Sequence, residues 1–139
     1  NNHPRTKTDE AIKALGAKGG VMGITGVRNF LTAQEPTTIA NLVDQVDHVA
    51  KLIGIDKVGI GSDADIYGYD DMEPTAYAKL KAGYKGSYAF REKIDTDGFD
   101  DPLKIYNLVE EMVRRNYSND NIRAVLGGNF RRLLGATWK

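Results

Sequence analysis

Asp63 stands just after an apolar, glycine-bearing run, Lys57-Val58-Gly59-Ile60-Gly61. If that run is a buried strand of a parallel sheet, Asp63 lies at a strand's carboxyl end, where α/β folds place their active sites. A neighbouring cation or partial burial could tune such a carboxylate for proton transfer. Asp also commonly opens a plain turn, and position alone leaves both readings open. The stretch Gly59-Ile60-Gly61-Ser62-Asp63-Ala64 also matches Gly-x-Gly-x-x-Ala, a variant of the dinucleotide fingerprint. That fingerprint needs a helix N-terminus to hold pyrophosphate. Here Asp63, Asp65, Tyr67, Gly68, Tyr69 and Asp70 follow, neither helical nor welcoming to a dianion, so the match is rejected. Asp95-Thr96-Asp97-Gly98 looks like part of a calcium loop. Placing Gly98 sixth puts Lys93 first and Lys104 twelfth, where acids are required, so the stretch reads as a turn. His3 and His48 are the only imidazoles and Cys is absent, so no self-contained transition-metal site is expected. His48 is expected on a solvated helix face.

The elements that must position these groups follow from capping and periodicity. Thr8 is an N-cap, Asp9 and Glu10 suit a first helical turn, and Ala11, Ile12 and Leu15 supply a short apolar stripe that Gly16 or Gly19 ends. Val21-Met22-Gly23-Ile24-Thr25 reads as a strand covered on both faces. Ile39, Leu42, Val43, Val46, Val49, Ala50 and Ile53 repeat with helical period, so a helix spans about Thr38 to Ile53. Strand, helix, strand is a βαβ crossover and makes a parallel pair. From Asp63 to Asp100 no periodicity survives, although the span holds Tyr67, Tyr69, Tyr77, Tyr84 and Tyr88. A loop this long and aromatic reads as a substrate-facing lid or an interface cover. Asp101 with Pro102 starts a third helix, Ser118 between Tyr117 and Ile122 a fourth. That one breaks at Gly127-Gly128, and Asn129 is expected to cap a last turn.

The chain has 139 residues with 41% apolar and 27% charged side chains, one domain with a real core. Nineteen basic residues balance nineteen acidic ones, which argues against a nucleic-acid or anionic-membrane binder. No apolar run approaches a membrane span. Two buried parallel strands are too few for a complete α/β domain, because neither can cover the other's outer edge. Either a strand hides within 63–100 or the chain is the C-terminal piece of a larger sheet or barrel. The opening Asn1-Asn2-His3-Pro4-Arg5, unlike a leader or a usual translation start, favours the piece.

Three stretches, in order, resemble the membrane (renal) dipeptidases and their bacterial relatives. His3-Pro4-Arg5-Thr6, with Asp9-Glu10 and Gly19-Gly20-Val21, is similar to that family's His-Pro-Arg-Asn, Asp-Glu and Gly-Gly-Val series. Asp44-Gln45-Val46-Asp47-His48, running on to Gly61-Ser62-Asp63, resembles its Asp-His-hydrophobic-Asp-His helix and Gly-Ser-Asp-Phe-Asp-Gly signature. Arg115-Asn116-Tyr117-Ser118 and Gly127-Gly128-Asn129-Phe130-Arg131 resemble its closing Arg-Gly-Tyr-Ser and Gly-Gly-Asn-x-x-Arg. The likeness holds from Asn1 to about Leu134, apart from the long loop.

The resemblance implies an α/β chain forming the last two strands and C-terminal helices of a (β/α)8 TIM-type barrel, with residues 1–139 part of one domain and 63–100 a loop after the last strand. It implies a dipeptide substrate and two zinc ions whose bridging hydroxide attacks the peptide carbonyl. The matched positions assign Asp63 the proton for the leaving amine and Arg5 the substrate carboxylate, a task suited to a planar guanidinium. The family's zinc ligands all lie upstream, so none is assigned here and His3 is not promoted to one. The isolated segment is expected to bind no zinc and to be inactive. The partners implied are a dipeptide and the remainder of the barrel chain, with no nucleic acid; a homodimer stays open. Family members occur at membranes, in periplasm and in cytoplasm, so the compartment stays open too. The family's Asp-Phe-Asp-Gly is Asp63-Ala64-Asp65-Ile66 here, Thr6 replaces Asn and Gln45 replaces His. The remodelled loop keeps a second reading in play, a non-catalytic binding domain derived from the same barrel.

Overall fold

A computed structural model of the chain describes residues 3–84, 91 and 93–138. Thr8 Oγ1 accepts from the Ala11 amide and starts α1, Asp9–Ala17, which stops before Gly19 at φ 73°. Two strands, β1 (Met22–Thr25) and β2 (Val58–Ser62), pair in parallel with Met22 opposite Val58 and Ile24 opposite Ile60. Among the described residues no other strand joins them. The crossover contains a short helix α2, Arg28–Leu31, and the long α3, Ile39–Ile53. Thr38 and Asn41 form a reciprocal capping box at the start of α3, and Gly54 at φ 94° ends it.

The stripe predicted for α3 is the stripe it buries. Leu42, Val43 and Val46 are fully inaccessible and Val49 nearly so. They form one core with Val58 of β2 and with Leu108 and Met112 of α5, Ile105–Arg114. A polar clasp locks α5 to α3. Arg115 donates to Asp44 Oδ1 and Asp47 Oδ2, both at 2.8 Å, to Glu111 Oε1 at 2.7 Å and to the Ala40 carbonyl at 2.9 Å. The Tyr117 hydroxyl donates to Asp47 Oδ1 at 2.6 Å. Burial and that bond, made to a carboxylate, both raise the Tyr117 pKa. Ser118 Oγ accepts from the Asn121 amide to begin α6, Asn119–Arg123.

Two expectations are corrected. The 63–100 stretch carries a helix, α4 (Pro74–Gly83), capped by the Glu73 carboxylate. It buries no side chain, so it needs no apolar stripe and shows none. Asn129 does not cap a last turn. The chain kinks at Gly127 (φ 161°, ψ −19°), where a break was expected, and α7, Asn129–Thr137, follows with Gly128 ahead of it. Buried Asn129 instead donates to the carbonyls of Ile55, at 2.8 Å, and Val58, at 2.7 Å, tying α7 to the start of β2. Next to it the Phe130 ring packs against Gly59, whose missing Cβ would sit 2.4 Å from Cε2.

Asn129→Ala strips the donor from two carbonyls under α7 and is expected to cost about 1–3 kcal/mol in urea unfolding. Gly59→Ala drives a methyl into the Phe130 ring and is expected to cost about 1–3 kcal/mol by the same measurement. Wild-type stability in either variant contradicts the packing described.

Candidate active site

β2 ends abruptly. The register slips between Ile24 and Thr25, so that Ser62 pairs with Thr25. The Ser62 carbonyl accepts from the Gly26 amide at 2.6 Å and from Thr25 Oγ1 at 3.2 Å. Ser62 (φ 51°) and Asp63 (φ 64°) then both adopt the left-handed conformation. Asp tolerates that region better than most residues. The turn leaves the Asp63 side chain exposed at the carboxyl end of the parallel pair. Ser62 Oγ accepts from the Ala64 amide at 3.1 Å and braces it.

Arg5 reaches the same place from the other side of α1. Its guanidinium carbon sits 4.8 Å from the Phe30 ring centroid, and the His3 ring lies 4.7 Å from the same ring. Phe30 of α2 thus gives the segment before α1 an aromatic floor. Arg5 and Asp63 line one cleft of about 260 Å³, together with Tyr69, Tyr84, Asp95 and Phe99. The two residues singled out by the resemblance therefore line one cleft, although 58 positions apart. His48 is half-exposed on α3 with Nε2 2.8 Å from Asp9 Oδ1, on the helix face expected of it. Of the loop tyrosines, Tyr69 and Tyr84 line the cleft, Tyr67 is 89% exposed, and the Tyr77 hydroxyl accepts from the Ile94 amide. Tyr88 lies outside the described residues.

The far wall is a segment that sequence reasoning left as a turn. The Asp95-Thr96-Asp97-Gly98 turn is present, closed by the Phe99 amide on the Thr96 carbonyl. Its placement rests on long-range bonds. Buried Arg28 donates from Nε to the Asp95 carbonyl at 2.6 Å and pairs with Glu35 and Asp97. Thr96 Oγ1 donates to the Gly26 carbonyl at 2.6 Å. Arg91 donates to Asn29 Oδ1, to Thr37 Oγ1 and to the Thr32 and Gln34 carbonyls. These bonds bring Asp95 under the strand ends, 7% exposed, with Oδ2 buried and without a hydrogen-bond partner. Burial, aided by the charge of Asp100, pushes the Asp95 carboxyl up to about 6. Burial and the neighbouring Tyr84 push Tyr69 up to about 12. No local signal in the sequence marked Asp95 as a cleft residue, because what seats it is an arginine 67 positions away.

The residues present do not make a zinc pair's site. His3 and His48 are engaged elsewhere, with Phe30 and Asp9 respectively. Among the described residues the one group of three ligating side chains close enough to share an ion is all carboxylate: Asp70, Asp95 and Asp100. The cleft offers an exposed cation, an exposed carboxylate and a buried acid. That set can bind a carboxylate and move a proton. Because Asp95 has a higher pKa folded than unfolded, the native state binds the extra proton between about pH 4 and 6. Stability from this group is therefore lost as pH rises through that window. In buffer without divalent cations, Asp95→Asn is expected to remove this loss and to stabilise the chain at pH 7 by roughly 1–3 kcal/mol, read from urea unfolding at pH 4 and 7.

Comparison with known proteins bears on the family and the fold. Residues 1–80 match the membrane dipeptidase family, peptidase family M19. The chain is 32% identical over 132 residues to dipeptidase verJ of Clonostachys rogersoniana, covering 95% of this chain and 27% of that protein. It is 29% identical over 133 residues to dipeptidase ataJ of Aspergillus terreus, covering 94% and 26% respectively. The chain thus spans about a quarter of the length of these curated relatives. An amidohydrolase from Pseudomonas aeruginosa superposes with a TM-score of 0.78 at 28% identity, over 99% of this chain and 42% of that one. A metallopeptidase from Rhodobacter sphaeroides, solved with a phosphinate mimic of the dipeptide L-Ala-D-Ala, shares the fold with a TM-score of 0.70 at 20% identity, over 96% and 32%. With more than half its length matched, the chain belongs to the membrane dipeptidase family of metallopeptidases.

Proposed function

We propose that this segment supplies the substrate-carboxylate and proton-transfer groups of a metal-dependent dipeptidase. The observation that carries the reading is the meeting of Arg5 and Asp63 in one cleft at the carboxyl end of a parallel pair, in a chain of this family. Arg5 offers two parallel N–H donors to the free carboxylate of a dipeptide. That fixes the peptide bond relative to Asp63, whose exposed carboxylate takes a proton during attack and returns it to the leaving amine. The two strands and their helices are the last part of a (β/α)8 barrel. The open outer edges of β1 and β2 are where the remaining strands pair. Two zinc ions are expected in the complete barrel, held by residues upstream; when bound they supply the activated water. No zinc chemistry is assigned to this chain's own side chains.

A second reading, a non-catalytic binding domain of barrel ancestry, is favoured by one observation. The loop after Asp63 is Ala64-Asp65-Ile66, with Ile66 and Tyr67 strongly exposed. Substitution in the complete barrel separates the two. Asp63→Asn is expected to lower kcat by about 10²–10⁴-fold with metal content unchanged. Arg5→Ala is expected to raise KM by about 10–10³-fold, the equivalent of roughly 1.5–4 kcal/mol for a lost charge-assisted contact. An Asp63→Asn variant with full turnover and retained metal supports the binding domain. Zinc-dependent dipeptide turnover by the 139-residue chain alone overturns the upstream placement of the metals.

A further inference from the structure

Asp70, Asp95 and Asp100 come from two stretches of chain, yet each brings a carboxylate oxygen within 4.8 Å of the others. Asp95 and Asp100 are 7% and 3% exposed, and Asp70 faces solvent. Two lysines neutralise part of this charge. Lys104 pairs with Asp100 Oδ1, stands 3.3 Å from Asp70 Oδ2 and lies 3.8 Å from Asp101. Lys93 is 3.4 Å from Asp70 Oδ1 and shares itself with Asp97 at 3.5 Å. Neither is paired with Asp95, and Asp95 Oδ2 is buried with no hydrogen-bond partner. Such an oxygen is costly unless something cationic or a proton meets it. Asp100 Oδ2 is turned away from the lysine, toward Gly68. That residue sits at φ 70°, and a Cβ on it would stand 3.2 Å from this oxygen.

We propose that Asp70, Asp95 and Asp100 form a calcium site that braces the loop wall of the cleft. The ligands are all hard carboxylate oxygens, the set that calcium takes and zinc does not prefer. Calcium–oxygen bonds of about 2.3–2.6 Å and a flexible shell suit oxygens already gathered within 4.8 Å of one another, with a small closure onto the ion. Magnesium demands near-ideal octahedral geometry and keeps several of its waters, so a set of protein carboxylates on a loop favours calcium. Solvent at Asp70 supplies the remaining oxygens. Lys104 and Lys93 compete for the same carboxylates and keep the affinity modest, with an expected Kd of about 10⁻⁴–10⁻³ M. The ion would tie Asp70, which follows β2, to the 95–100 segment. This site is separate from the metals of the dipeptidase reading and does not depend on it.

The test is titration of the purified 139-residue chain at pH 7.5 with calcium chloride, followed by thermal unfolding and by terbium emission sensitised by Tyr69, which lines the cleft beside Asp95. Calcium at 10 mM is expected to lower the unfolding equilibrium constant by about 10–100-fold and to displace terbium. Asp95→Asn and Asp100→Asn are each expected to weaken binding at least tenfold, as is Asp70→Asn, whose exposed position leaves folding intact. Lys104→Gln, by removing the competing ammonium, is expected to tighten binding about tenfold, which a merely structural ion pair would not do. The inference falls if 10 mM calcium leaves unfolding unchanged, if the Asp70 and Asp95 variants titrate like the wild type, or if magnesium binds more tightly than calcium.

Discussion

The buried guanidinium of Arg28 is the constraint on which the site depends. At 2% exposure it has lost almost all contact with water, so its charge must be met within the protein. It is met by Glu35 and Asp97 and by the Asp95 carbonyl, which belong to two different segments. Ion pairs of this kind contribute little net stability against an apolar alternative. What they contribute here is choice. Of the ways in which a long polar connection could lie over the strand ends, only those that bring residues 95–97 to Arg28 avoid stranding a charge. The Asp97 amide on the Thr37 carbonyl and the Thr96 hydroxyl on Gly26 then complete a small seam beside the strands.

That seam gives the cleft its unequal electrostatics. On one side Arg5 stands exposed over Phe30. On the other Asp95 is withdrawn among Ile94, Phe99 and the tyrosines, where ionisation is opposed by burial before any neighbour acts. Asp63 is exposed like Arg5, on a turn of two left-handed residues that fixes its backbone and leaves its carboxylate at the surface. Hydrated groups at the mouth and a desolvated acid in the wall divide binding from the control of loop structure.

The parts of the fold legible in the sequence were those whose signal is local or periodic. The stripe of α3 follows from one helix burying one face, and both strands announced themselves as apolar runs, although here only Ile24, Val58 and Gly59 of them are buried and Gly23 and Gly61 are exposed. The Thr8, Asp101 and Ser118 caps were legible because a cap's donor lies two or three residues away. By contrast α4 has no apolar face to advertise; its one available signal was Glu73 before Pro74, an acid cap with proline at the first position. Asn129 has the composition of a cap, and only the position of Ile55 and Val58, more than seventy residues back, turns it into a clamp. Asp95 fails for the same reason. Its neighbours in sequence describe a turn, and its function in the fold is set by Arg28 and by Asp70 and Asp100.

Asp63 was singled out by its place after an apolar run and Arg5 only by the resemblance; that both line one cleft has a topological reason. In a βαβ unit the two strands run the same way, so both end at one face, and Asp63 at the end of β2 must share that face with the end of β1. A helix that feeds a strand of the same sheet runs antiparallel to it, so α1 begins where β1 ends. Arg5, four positions before the first residue of α1, is thereby delivered to the mouth that Asp63 occupies, without any contact between the two being encoded locally. The order of elements thus accounts for two residues 58 apart lining one cleft. Only the wall opposite them, which no alternation of strand and helix places, required the coordinates.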